Sequence, residues 1–186
     1  MTAVTYYWMD LAVAAAVPLL ILVLRLSGKA GPRLVRQFWL GAAVGLTWEV
    51  PIFVGSCATE AYRTIAYITP LPLHWSVFLA AHTSWDGGLF VLGCLLVRGL
   101  FGAGAMRSWD WRQLSVFIAY GQVQALAVEL SSVMSSGWYY LDLAWNPAVM
   151  TVNGHNVSLL QQEFWLVGSV LFYVIWLRLE ARQGPA

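Results

Sequence analysis

The chain has 186 residues, of which 60% are hydrophobic, 15% aromatic and 10% charged, against about 25% charged in an ordinary soluble domain. Its apolar stretches use nearly the whole length, which excludes a separate aqueous domain and points to one all-α integral membrane domain over residues 1–186. The net charge of +1 excludes a nucleic-acid partner, and the two isolated cysteines, Cys57 and Cys94, exclude a disulfide framework or a zinc site.

A bilayer core about 30 Å thick needs about 20 mainly apolar residues per helix. The first qualifying segment, about 8–26, is read as a retained helix and not a signal peptide, because Asp10 and several aromatics precede its apolar run and no basic region does. Pro18 is placed to kink it, which lipid tolerates if a neighbour satisfies the freed carbonyl. The second segment, about 36–55, carries Gly41 and Gly45 in a GxxxG spacing that permits close helix approach. A connection with Pro70 and Pro72 leads to the third, about 75–97, and a basic loop to the fourth, about 113–135. Next comes a long connection with turn signals at Gly137, Asn146-Pro147 and Asn153-Gly154, flanked by Trp138, Tyr139, Tyr140 and Trp145. The fifth segment is about 162–179. The result is a five-transmembrane-helix bundle.

Nine of the ten basic residues fall at one end of this bundle and only Arg63 at the other. The positive-inside rule then puts the N-terminus outside or in the lumen and the C-terminus in the cytoplasm, in the plasma membrane of a bacterium or the endoplasmic reticulum of a eukaryote. The two long aromatic connections lie on the outer side. They either lie at headgroup level as an aromatic belt, the first reading, or cover the mouth of a cavity.

Three acids, Glu49, Asp86 and Glu129, lie inside the spans. Each costs about 2.5–3.5 kcal/mol at mid-helix, so something must offset about 8–10 kcal/mol. At 1.5 Å rise per residue, Asp86 lies near the centre of its helix, Glu49 about 5 Å and Glu129 about 7 Å outward of theirs, which sets the three in one layer. His82, one turn before Asp86, joins that layer and can pair with it. Carboxyls and an imidazole in low dielectric favour proton transfer, one group giving a proton while another takes one. The bland alternative is hydrogen-bonded links between helices. Trp48, Trp85 and Trp165 flank or face the acids, and Trp48 and Trp85 are too deep for a belt; they either pack or form an aromatic wall that holds a flat hydrophobic ligand and stabilises a cation. Gln122 and Gln124 sit near the centre of helix four. No phosphate-binding glycine loop or Ser-His-Asp order is present, and no cofactor is called for.

In these pieces the sequence resembles the EXPERA family of sterol isomerases and sigma-2-type receptors: Leu26-Ser27-Gly28-Lys29, Glu49, Asp86 followed by Gly93, Tyr120-Gly121-Gln122, and Phe164-Trp165 with Trp176. The resemblance covers about 36–179. It implies that acids on the second and third spans face one cavity, and that a histidine one turn before the first acid helps to move protons. That position is Gly45 here, with His82 the nearest imidazole; the asparagine expected in the last span is replaced by Ser169 or Tyr173 as the nearest polar group.

The expected activity is a cofactor-independent double-bond isomerase acting on a sterol-like or isoprenoid lipid within the bilayer. Its catalytic candidates are Glu49, Asp86, His82 and Glu129, and its substrate-binding candidates are Trp48, Trp85, Gln122, Trp165 and Tyr173. Asp86 would protonate a ring double bond and Glu49 accept a proton from the adjacent carbon. An acid-initiated terpene cyclase and a non-catalytic module that binds a sterol or amine are the alternatives. Expected partners are a hydrophobic lipid and the surrounding membrane; homodimerisation stays open.

Overall fold

The computed structural model describes residues 2–59 and 62–182. Five helices, α1 (Ala3–Leu26), α2 (Pro32–Phe53), α3 (Trp75–Phe101), α4 (Trp111–Met134) and α5 (Leu159–Ala181), are long and apolar enough to cross a membrane. They overlap the five predicted segments; the largest difference is at α1, which starts five residues earlier, while α2 and α4 end two and one residues short of the predicted bounds. Side-chain caps lie outside the apolar runs at the starts of α1 and α4. The Thr2 hydroxyl accepts the Thr5 N–H, and the Asp110 carboxylate accepts the Arg112 N–H. By length and composition these five helices are consistent with a multi-pass membrane protein.

The helices pack up and down. Small residues set the closest contact, between α2 and α3: Gly41 lies against Phe90, Gly45 against Asp86 and Gly87 against Phe38. Helix α1 packs chiefly on α3. Pro18 removes an N–H from α1 and so frees the carbonyl of Ala14 four residues earlier; the Ser84 hydroxyl of α3 donates to that carbonyl at 2.7 Å. The kink residue and its compensation thus also fasten α1 to the bundle.

The ends of the bundle differ. At one, α2 opens after Pro51 into a π-helical turn, Val54–Ala58, and the connections form four short strands. Strand β1 (Ile65–Tyr67) pairs antiparallel with β2 (Trp138–Tyr140), and β3 (Ala148–Val152) with β4 (His155–Ser158). Asn153 and Gly154, at φ 51° and 81°, supply the left-handed pair that a two-residue hairpin turn requires. Tyr7 ties α1 to this end by hydrogen bonds from its hydroxyl to the Thr69 and Gly137 carbonyls, at 2.8 and 2.9 Å. At the other end Arg33 clamps three elements: it lies 3.4 Å from Glu180 of α5, over the Trp176 ring, and donates to the Ala105 carbonyl.

The strands change the reading of the aromatic connections. Trp138 and Tyr140 are buried in the bundle end and line a cavity, whereas Trp145 is exposed. A belt would leave such rings on the perimeter; alternation along β2 turns these two inward, as a cover.

Candidate functional site

A cavity of about 320 Å³ lies beneath this cover, bounded by all five helices. Helical periodicity decides which predicted residues reach it. Glu49 of α2, and His82 and Asp86 one turn apart on α3, line it together with Trp85 and Trp165. Asp10 of α1 joins them, an acid that the sequence reading used only to argue against a signal peptide. Its signal was its place in an apolar helix; ending the span at residue 8 set it at the margin, whereas α1 starts at Ala3 and carries Asp10 two turns in.

The pairing of His82 differs from the expected one with Asp86. Its Nε2 lies 3.4 Å from Asp10 Oδ2 and its Nδ1 3.4 Å from Glu49 Oε2. A neutral imidazole has one N–H and one lone pair, so it cannot donate to two carboxylates. Asp10, His82 and Glu49 thus form one array across three helices. Asp86 sits one turn deeper, with Oδ2 buried and without a hydrogen-bond partner. The Trp48 side chain lies beside it.

Other predicted residues lie elsewhere. Glu129 does not line the cavity. On α4, residues 124, 128 and 131 turn toward the cavity, and Glu129, about 100° further round, faces α5 and the strands. Its Oε1 accepts the N–H of Ser158, the residue preceding α5, at 2.8 Å. The layer inferred from depth alone therefore does not include it. Trp48 packs behind the wall, stacked on Phe164 and tilted on Trp165. Gln122 donates to the Gln162 carbonyl between α4 and α5. Tyr173 is at the arginine end, where its hydroxyl reaches the backbone of Ser108 and Asp110. Substrate-binding roles for Trp48, Gln122 and Tyr173 are not those of cavity-lining groups.

Comparison of the chain with protein-family profiles, curated proteins and solved structures finds no match.

The cavity has two unlike polar walls. Asp10, Glu49, His82 and Asp86 form an acid–imidazole wall from α1, α2 and α3; Gln124 of α4, Gln161 of α5 and Tyr140 of β2 form a neutral one. The Tyr140 hydroxyl donates to Gln161 Oε1 at 2.5 Å. Burial, then the nearby Glu49, Glu129 and Asp86, push the Tyr140 phenol well above its ordinary pKa, so it stays a neutral hydroxyl. Between the walls lie Trp85, Trp138, Trp165 and Phe53. The flank between α1 and α4 is partly open: Met9 and Val13 line the cavity yet are 52% and 39% exposed. That flank faces the side of the bundle, where lipid would lie.

Proposed function

We propose that the protein is a membrane-embedded, cofactor-independent isomerase that shifts a double bond in a sterol-like or isoprenoid lipid. The observation that carries this reading is the meeting of Glu49, His82 and Asp86 on one wall of an aromatic cavity, with Asp10 completing the array. Protonated Asp86 delivers its proton to one alkene carbon and leaves a carbocation at the other. The aromatic rings of Trp85 and Trp165, which line the cavity, stabilise that cation. Glu49 takes a proton from the neighbouring carbon, and the C–H electrons become the new double bond. One proton has entered the lipid and one has left, so the reaction needs no oxidant, reductant or cofactor. His82, between Glu49 and Asp10, carries the released proton away and allows Asp86 to be reloaded.

The chain departs from the EXPERA pattern at one position of the site. The family's histidine position is Gly45 here, and a side chain at that position would occupy the space of the Asp86 carboxyl. An imidazole from α3 instead meets Glu49.

A second reading, cyclisation of a linear isoprenoid by the same acid, is favoured by size. About 320 Å³ is at the low end of the range of about 300–1,000 Å³ for small-molecule pockets, which suits a short flexible chain better than a four-ring sterol. Incubation of the purified protein with candidate sterols and linear isoprenoids in heavy water, followed by mass spectrometry, tests both. Deuterium in a product of unchanged ring count supports isomerisation, and a new ring supports cyclisation. Incorporation that survives both Glu49→Gln and Asp86→Asn would remove this pair from the mechanism.

A further inference from the structure

The acid–imidazole wall accounts for proton transfer but leaves the opposite wall unused. Two of its polar groups have unspent hydrogen-bonding capacity. Gln161 is 8% exposed. Its Oε1 is committed to the Tyr140 hydroxyl, which leaves both Nε2 hydrogens without a partner among the described residues. Gln124 is the complement: its Nε2 donates to the Gly121 carbonyl at 3.0 Å, while its Oε1 is buried and unpartnered. The antiparallel register of α4 and α5 is pinned by Gln122 against Gln162 and Glu129 against Ser158, which brings Gln124 and Gln161 to one level on adjacent helices. Both line the cavity. One has a free donor, and the other an unpartnered acceptor that is buried until its side chain turns toward a ligand.

A buried polar group left unpaired costs about 1–3 kcal/mol, a cost that falls on Gln124 Oε1 and that no apolar stretch of lipid could relieve. An alcohol satisfies both amides, since its oxygen accepts from Gln161 Nε2 and its hydrogen donates to Gln124 Oε1. A carbonyl satisfies only the donor. An anionic head such as a diphosphate does not fit: the pocket holds three carboxyls and a single imidazole, with the neutral Tyr140 phenol and no Lys or Arg among the residues that line it.

We propose that Gln124, Gln161 and Tyr140 form a hydroxyl-recognition subsite, so that the lipid bound here is an uncharged isoprenoid alcohol whose oxygen lies against α4 and α5 and whose alkene faces the acids. This rests on the reading of the cavity as a lipid site. The subsite fixes the direction of the ligand: head toward the amides, double bond toward Asp86 and Glu49, remaining chain toward the open flank at Met9 and Val13.

The test compares farnesol with farnesene, the hydrocarbon of the same chain length, by quenching of tryptophan fluorescence in the full-length protein in lipid nanodiscs. The expected result is that farnesol binds about tenfold more tightly than farnesene. Gln161→Leu and, separately, Gln124→Leu bring the two affinities together by weakening farnesol alone, and unchanged farnesene binding shows that each variant is folded. Tyr140→Phe, which frees Gln161 Oε1, gives a smaller loss for farnesol. Equal affinity of the unaltered protein for both probes, or a preference for farnesol that survives in both glutamine variants, overturns the subsite while leaving a lipid cavity. Binding of neither probe overturns the lipid-site reading and the subsite with it.

Discussion

Gly45 of α2 faces Asp86 of α3 so closely that a β-carbon on Gly45 would run into the Asp86 carboxyl. The glycine therefore does more than let two helices approach: it makes room for an acid. Gly45→Ala must displace the carboxyl or part the helices, at a cost of about 1–3 kcal/mol for overpacking, and lipid conversion should fall steeply. Thermal unfolding in detergent and product formation check the two effects. Gly99→Ala is the matched control on α3, where nothing lies within 4 Å of the added atom; it should leave stability unchanged or raise it by up to about 1 kcal/mol.

Ser84 and Pro18 form a second coupled pair, although they never touch. Ser84→Ala strands the Ala14 carbonyl and should cost about 1 kcal/mol. In a Pro18→Ala background the restored N–H satisfies that carbonyl within α1, and the same Ser84 change should cost markedly less. A double-mutant cycle read by thermal unfolding measures the difference. Equal costs in the two backgrounds would sink the proposed compensation.

Apolar runs and turn residues made the helices and the hairpin turn at Asn153-Gly154 legible, because each reflects local preference along the chain. Depth along each helix followed from the fixed rise per residue. Azimuth did not. Glu49 and Asp86 were placed with Glu129 by height, yet facing depends on how each helix is rotated in the bundle, and this turns Glu129 away. Tyr140 and Gln161 escaped notice for another reason. A three-residue strand has no periodicity to detect, and only the pairing of β2 with β1 aims Tyr140 into the cavity. Asp10 was visible as a residue but not as a neighbour, because its partner His82 is 72 positions away on another helix.

Glu129 gives a prediction that separates a structural acid from the reacting ones. It accepts the Ser158 N–H at the start of α5 and is fully buried. Glu129→Gln keeps an acceptor oxygen there and should retain both folding and lipid conversion, whereas Glu129→Leu leaves the N–H unpaired and should cost about 1–3 kcal/mol. Glu49→Gln should show the reverse pattern, with stability kept and conversion lost. Thermal unfolding and product formation measured on the three variants decide the matter; loss of conversion in a fully stable Glu129→Gln protein would return Glu129 to the chemistry.

The cover predicts how stability falls in alkali. Tyr67 and Tyr140, on the paired strands β1 and β2, both have phenols held above their ordinary pKa, chiefly by burial. In the unfolded chain each loses its proton near pH 10, while in the folded protein each keeps it. Above about pH 10 the unfolded state therefore binds fewer protons than the folded one, and stability must fall as pH rises. Below that pH both states hold the protons and these groups add no slope. Thermal unfolding between pH 8 and 11 should show a flat region and then a decline. Tyr140→Phe should make the decline shallower, because one of the two phenols no longer titrates on unfolding; an unchanged slope would mean that the strands open, and Tyr140 ionises, before the helices unfold.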